Sequence, residues 1–269
     1  LSLFKATAAT APGCARTHMG LGVVYSEGPW PMSRAIRECR KAVNAKPDLP
    51  DAHNNLGNVL MAAGVHEAAL KEFQTAISLG LPLPTAHNNL GLAYLRLNKP
   101  SAAVAEFEKA LKLDPNYADA HWGLGSAHYL AGLLDSAILG FQAAIRLDPD
   151  HADAFNNLGA CYLAKGHVHN GIAAFERALV INPNQLDAHI NLGDAFTRLG
   201  QHDAAVAWYS HALAINYSLP EVHLRLAQAL LNCGKPREAA AFLADALRLD
   251  PNNQRLRELL SRLGKGTER

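Results

Sequence analysis

Asparagine recurs at one regularly repeated place along the chain. The four members of this asparagine column, each 34 residues or twice that number from the next, are Asn55, Asn89, Asn157 and Asn191. The same spacing places Gly123 in the gap and Arg225 beyond the last asparagine. Because an amide both donates and accepts hydrogen bonds, a regular column could hold the backbone of an extended peptide without reading its side chains.

Two further sets of residues share this spacing. Together with Arg225, residues directly before the column or three residues after it extend the candidate peptide-binding groove: Asn54, Asn58, Asn88, Trp122, Asn156 and Asp194. An acidic edge lies four residues before the column: Asp51, Asp119, Asp153 and Asp187. The carboxylates favour hydroxyl or basic side chains in a partner, and a large aromatic residue such as Trp122 is a common anchor at interfaces.

Two interpretations of these residues stay open. The asparagines bind a partner, or they are a structural consensus that solvates an exposed helix and satisfies local polar groups. The acidic edge has the same two interpretations, because a carboxylate in the first turn of a helix is stabilised by the helix dipole.

The thirteen histidines raise the possibility of a metal site. Six of them occupy one equivalent place in successive repeats: His18, His53, His87, His121, His189 and His223. Helices that pack side by side are about 10 Å apart, whereas zinc requires all its ligands within about 2 Å of one point. We therefore predict a packing role for these histidines, with no metal and no cofactor.

Motifs of the common hydrolases and redox proteins do not occur in the sequence. It contains no Gly-x-Ser-x-Gly motif, which would supply a nucleophile, and no His-Glu-x-x-His motif, which would supply a zinc-bound water. It also contains no Cys-x-x-Cys motif, which would supply a redox-active thiol pair. The prediction is that the chain is not an enzyme.

The elements that position these residues follow from a period of 34. Leucine precedes glycine at five equivalent places, ending at Gly57, Gly91, Gly125, Gly159 and Gly193. Residues 84–117 show the remaining pattern, which is Leu90, Gly91, Tyr94, Ala103, Phe107, Ala110 and Pro115. This order resembles the tetratricopeptide repeat. The resemblance implies an all-α, right-handed α-solenoid, or superhelix, of helix-turn-helix repeats whose first helices line a concave face.

The period also sets the expected boundaries within a single solenoid over residues 1–269. A partial repeat covers 1–14, and an irregular repeat with one inserted residue covers 15–49. Regular repeats cover 50–83, 84–117, 118–151, 152–185, 186–219 and 220–253, followed by a cap helix at 254–264 and a tail at 265–269. Because the chain begins inside a repeat, we expect its parent chain to extend upstream.

Composition narrows the class of partner. The 25 Lys and Arg residues nearly balance 24 Asp and Glu residues, for a formal net charge of +1, which argues against nucleic acid as a partner. No apolar run reaches the roughly 18 residues of a membrane span, so direct membrane insertion is not expected. Four cysteines without close pairing favour free thiols in a reducing intracellular compartment over disulfides.

These observations predict a non-catalytic scaffold that binds a protein or peptide partner, as a subunit of a larger assembly. The alternative is the substrate-recruiting arm of a larger enzyme. The His-Asn-Asn-Leu-Gly motifs at 53–57 and 87–91 resemble the repeat arm of O-linked N-acetylglucosamine transferases. That resemblance implies that the asparagines hold an acceptor polypeptide, although Gly123 interrupts the column.

Overall fold

The computed structural model describes residues 14–80 and 83–266, and these form fifteen α-helices without a strand. The helices are α1 (Ala15–Glu27), α2 (Met32–Ala45), α3 (Pro50–Ala62), α4 (His66–Ser78), α5 (Pro84–Arg96), α6 (Pro100–Leu113), α7 (Ala118–Leu130), α8 (Leu134–Leu147), α9 (Ala152–Ala164), α10 (Val168–Ile181), α11 (Leu186–Arg198), α12 (His202–Ile215), α13 (Pro220–Asn232), α14 (Pro236–Leu249) and α15 (Gln254–Gly266). The predicted all-α class is confirmed. The partial repeat expected at 1–14 lies outside the described residues except for Cys14, as do the last three residues of the expected tail.

The chain divides into two compact units, Leu1–Asp148 and Pro149–Arg269. Within each unit, an odd-numbered helix packs against the even-numbered helix that follows it, and each pair packs against the next pair. The odd-numbered helices also contact one another directly, α1 with α3, α3 with α5 and α5 with α7 in the first unit, and α9 with α11 in the second. Each unit is therefore a solenoid of stacked helix pairs.

Glycine and an aromatic ring hold the two helices of a pair close together. A Cβ atom added to Gly57, Gly91, Gly125, Gly159 or Gly193 would lie 2.4–2.9 Å from a ring atom of Phe73, Phe107, Phe141, Phe175 or Tyr209, respectively. These rings are at most 2% exposed, so the missing side chain leaves the space that the ring fills. In the first pair, Cys39 takes the place of the aromatic residue, and its Sγ atom would lie 2.3 Å from a Cβ on Gly22.

In every pair from α3 with α4 to α13 with α14, the turn between the two helices contains one residue with a left-handed backbone. Gly64 ends α3 with φ +75°, and its amide donates to the carbonyl of Met61 while that of Val65 donates to the carbonyl of Leu60. These two bonds cap a helix whose last carbonyls would otherwise have no partner. Asn98, with φ +55°, adopts the same conformation at the end of α5, and asparagine is the residue other than glycine that accepts it most readily.

Within the described part of the chain, none of the helices combines the length and the apolar character that crossing a bilayer requires.

Candidate peptide-binding face

The candidate groove lies on the odd-numbered helices, and within each unit we call the surface of these helices the first-helix face. Its half-buried members are Asn54, Asn55, Asn89, Trp122, Asn157, Asn191 and Asp194, its buried members are Asn88 and Asn156, and its exposed members are Asn58 and Arg225. Partial exposure leaves most of these side chains accessible to a partner, whereas Asn88 and Asn156 are 3% and 6% exposed.

In the first unit, amides of successive repeats are joined across this face. The Nδ2 atom of Asn89 donates to the Oδ1 atom of Asn58 over 3.0 Å. Beside this bond, the Oδ1 atoms of Asn54 and Asn88 are buried and have no hydrogen-bond partner among the described residues. An unpaired buried acceptor costs about 1–3 kcal/mol, so the carbonyl oxygen of Asn88 does not stabilise the amide in this position.

The gap in the column at Gly123 has a packing cause. A Cβ atom on Gly123 would lie 2.3 Å from the Phe107 ring, which also lies against Gly91. An asparagine at this place would overlap the ring between α6 and α7. The adjacent Trp122 is half-buried on the same helix, and its carbonyl accepts a 2.9 Å hydrogen bond from Ser126.

In the second unit, Asn191 is joined to the preceding repeat through a different partner. Its Nδ2 atom donates to Oδ1 of Asn156 over 2.9 Å, and Nδ2 of Asn156 donates to Oδ1 of Asn157 over 3.3 Å. The place equivalent to Asn58 is Ala160 here, which has no polar group. The bond therefore forms with the residue before the column.

Asp194 links the next repeat. It accepts hydrogen bonds from the Tyr209 hydroxyl, over 2.7 Å, and from the Arg225 guanidinium. Burial, together with the hydrogen bond to this carboxylate, raises the pKa of Tyr209. The phenol therefore stays protonated and donates, which fixes Asp194 between an aromatic residue of its own repeat and Arg225 of the following one.

The acidic edge is exposed along both units, and all four of its residues lie in the first turn of a helix. Asp153 accepts a 2.6 Å hydrogen bond from Nε2 of Gln185, at the turn before α11. This carboxylate thus links the first turn of α9 to the turn that leads into α11, in addition to its favourable position at a helix N-terminus.

The equivalent histidines connect the helices of a pair to the turn before it. Nδ1 of His53 lies 2.6 Å from Glu72 and its Nε2 lies 2.9 Å from the carbonyl of Pro47. His18 and His87 make the same contact with Glu38 and Glu106, at 2.8 Å and 2.7 Å. The glutamates were not predicted as partners, although both regular pairs are separated by 19 residues, a repeated spacing that the sequence contains. No group of three or more His, Cys, Asp or Glu side chains in the described ranges could hold a metal ion.

One of these pairs makes stability depend on pH. Burial of Glu38 opposes its charge, but hydrogen bonds from Lys41 and His18 outweigh burial and lower the pKa of this carboxyl from 4.5. A lowered folded-state pKa stabilises the fold above the unfolded value, and this contribution is lost as the pH falls through the folded value. We expect Glu38→Gln to lower the free energy of unfolding by about 1.5–3 kcal/mol at neutral pH, with the difference from wild type shrinking below pH 4.5.

Urea unfolding of both proteins at a series of pH values measures this difference. The exposed Glu108→Gln serves as the control. A constant gap between Glu38→Gln and wild type down to strongly acidic pH would contradict the expectation.

Comparisons with known proteins support the repeat architecture. The chain resembles a chain of the APC/C hetero-tetramer Cut9-Hcn1, with 18% identity and a TM-score of 0.79 over 98% of its length, and it spans 52% of that chain. It resembles PilF of Pseudomonas aeruginosa, with 21% identity and a TM-score of 0.68, over 79% of this chain and 97% of the other. It also resembles YrrB, described as a tetratricopeptide repeat protein with an unusual peptide-binding site, with 25% identity and a TM-score of 0.52, over 69% and 95% of the two chains. A search of curated proteins found no match.

Models of one family match most of the sequence. Four models, described as the tetratricopeptide repeat or TPR repeat, match residues 88–141, residues 150–218, residues 57–98 with 125–166, and residues 220–263. Together they leave only residue 219 uncovered between 57 and 263. The chain therefore belongs to the tetratricopeptide repeat family.

Proposed function

We propose that the chain is a protein-interaction scaffold that holds an extended segment of a partner protein on its first-helix face. Tetratricopeptide repeat proteins are generally non-catalytic scaffolds, and the family matches support the same general role here. The likeness to YrrB, whose description includes a peptide-binding site, supports a peptide or an extended segment as the bound species.

The observation that carries this proposal is the set of hydrogen bonds that join amides of successive repeats. Asn89 with Asn58 in the first unit, and Asn191 with Asn156 in the second, each restrain the side chain of a column asparagine. Each bond uses one N–H of the column asparagine, and an amide has a second N–H and a carbonyl oxygen with two lone pairs. The remaining groups are pre-oriented, so less rotamer entropy is lost when a peptide backbone binds.

The surroundings of the column would select the partner. The exposed carboxylates of the acidic edge attract basic or hydroxyl side chains, and Trp122 offers an apolar contact in the first unit. Arg225, paired with Asp194, adds a cation in the second unit. We infer that the bound segment is polar, carries basic or hydroxyl residues, and includes at least one large apolar side chain.

The test is a variant in which the four column asparagines are replaced: Asn55→Ala, Asn89→Ala, Asn157→Ala and Asn191→Ala. Partners are first captured with the wild-type chain from its native source and identified by mass spectrometry. Each amide contributes about 0.5–1.5 kcal/mol to binding, so four contribute roughly 2–6 kcal/mol, or about one and a half to four decades of affinity. We expect the variant to lose the captured partners or to bind them correspondingly more weakly.

The matched control is Asn170→Ala with Asn232→Ala, two exposed asparagines outside the column. Alanine favours helix formation, and circular dichroism checks that both variants remain folded. Variants of Asn55 with Asn89, and of Asn157 with Asn191, then assign the contribution of each unit. Wild-type affinity in the quadruple variant would mean that the column is a structural consensus and that partners bind elsewhere.

A further inference from the structure

A second surface, on an even-numbered helix, has a different chemistry. A groove of about 530 Å³ lies between α2 and the end of the following helix, α3. Its cationic wall consists of Arg37, Arg40 and Lys41, and apolar side chains adjoin them: Ile36, Leu60 and Val65. Arg40 and Lys41 lie three and four residues after Arg37, so all three cations share one side of α2. This basic groove is separate from the first-helix face.

The cations of the groove are exposed to solvent, although two of them also contact a carboxylate. The side chains of Arg37 and Lys41 are 65% and 50% exposed, and Arg40 is exposed as well. One carboxylate, Glu38, lies beside them. It is buried, accepts hydrogen bonds from both His18 and Lys41, and lies 3.8 Å from Nε of Arg37. Three cations against one carboxylate leave two positive charges at a groove whose apolar side includes Val65, which is 44% exposed.

The equivalent surface of the next repeat shows that this charge is not a feature of the repeat itself. When Ala35 is aligned with Ala69, and Cys39 with Phe73, the places of the three cations are taken in the next repeat by Lys71, Gln74 and Thr75. That helix therefore carries one cation where α2 carries three. The repeat therefore does not require arginine at the places of Arg37 and Arg40, whereas Lys41 has a structural role because it donates to Glu38.

We propose that the basic groove binds a short acidic segment of a partner protein that contains an apolar side chain. The carboxylates of the segment would pair with the two arginines and the lysine, and the apolar side chain would pack on Ile36, Leu60 and Val65. Between Ser33 and Asn44, the helix rises about 16 Å, which an extended peptide covers with about five residues. The groove thus fits a short linear segment.

A segment of protein suits this groove better than a polyanion. Nucleic acid and anionic membranes are bound by broad basic surfaces, whereas the whole chain has a formal net charge of +1. A phosphate group also makes no favourable contact with the apolar side of the groove. A peptide segment with both acidic and apolar side chains matches the cationic wall and the apolar side of the groove together.

The probe for the test is a fluorescein-labelled peptide of sequence Asp-Glu-Leu-Asp-Glu-Leu, measured by fluorescence anisotropy against the full chain. We expect the peptide to bind, and its binding to weaken with added salt because exposed charges are screened. The double variant Arg37→Gln with Arg40→Gln should weaken the binding roughly tenfold. Lys41 is left in place because it also stabilises Glu38. The matched control, Lys71→Gln with Lys112→Gln, removes the same charge from exposed places outside the groove and should bind as wild type does.

Three comparisons make the outcome decisive. The peptide Asn-Gln-Leu-Asn-Gln-Leu should not bind, and the variant Arg37→Glu with Arg40→Glu should instead bind Lys-Lys-Leu-Lys-Lys-Leu. The quadruple asparagine variant should bind the acidic peptide normally, so failure of this proposal and failure of the proposed function are distinguishable. The proposal is overturned by absence of acidic-peptide binding, by equal binding to the arginine variant and its control, or by arginine-dependent binding of oligothymidine or phosphatidylserine vesicles without peptide binding.

Discussion

Replacing Phe107 by alanine is expected to lower the free energy of unfolding by about 3–5 kcal/mol. The ring is fully buried between two repeats, where it fills the space left by Gly91 and Gly123. Its removal loses the transfer free energy of the ring and leaves a cavity between α6 and α7. Urea unfolding followed by circular dichroism measures the change, and Tyr129→Ala, at a residue that is 40% exposed, serves as the control with an expected small effect.

Gly123, one of the two glycines beside this ring, allows a test in which the sign of the change in stability depends on whether the ring is present. In the wild type, Gly123→Ala places a methyl group 2.3 Å from the ring and should destabilise the fold, because overpacking costs about 1–3 kcal/mol. In the Phe107→Ala background, the clash is gone and alanine is the better helix former by about 1 kcal/mol, so the same substitution should stabilise. An additive double mutant, with the same cost in both backgrounds, would rule out direct contact as the cause.

Replacing Gly140 by alanine is expected to have the second large effect. A Cβ atom there would lie 2.8 Å from both the Cα and the N atom of Gly125, and 3.1 Å from the carbonyl oxygen of His121. Unlike a ring, backbone atoms cannot rotate out of the way, so α7 and α8 must separate. We expect the cost of separating the helices to exceed the roughly 1 kcal/mol that alanine contributes as a helix former. The free energy of unfolding should therefore fall by about 1–3 kcal/mol.

The same urea unfolding measurement checks this expectation, with Leu139→Ala as its control because that neighbouring side chain is 67% exposed. Gly140→Ala with a midpoint equal to or above that of wild type would contradict the close approach of α7 and α8.

The period of 34 was sufficient to predict the fold, because it places apolar and small residues on the faces through which the helices of a pair meet. Leu90, Gly91 and Phe107 illustrate this, since each lies in the core in the role that the pattern predicts. The division into two units after Asp148 has no counterpart in the period. It reflects how the helices pack in three dimensions, which a repeated pattern does not specify.

The candidate site was predictable at the level of the face and not at the level of the contacts. Asn89 and Asn191 occupy equivalent places, yet their amides bond to Asn58 and Asn156, respectively. The difference depends on whether the preceding repeat has a polar side chain within reach. The Phe107 ring likewise occupies the space beside Gly123 where an asparagine side chain would begin, a contact that spacing along the chain does not determine. Whether the column binds a partner is the prediction that the quadruple variant tests.

Cys39, which replaces an aromatic ring in the first helix pair, gives the protein an internal reporter of local opening. The Cys39 and Cys161 side chains are fully buried, and burial raises the pKa of each thiol to about 11. Because only the accessible thiolate is an effective nucleophile, an alkylating reagent would modify these two residues when the surrounding repeat opens. Cys39 lies in the first unit and Cys161 in the second. Modification rates at the two cysteines, resolved by peptide mass spectrometry, would therefore time the opening of each unit separately in the unmutated protein.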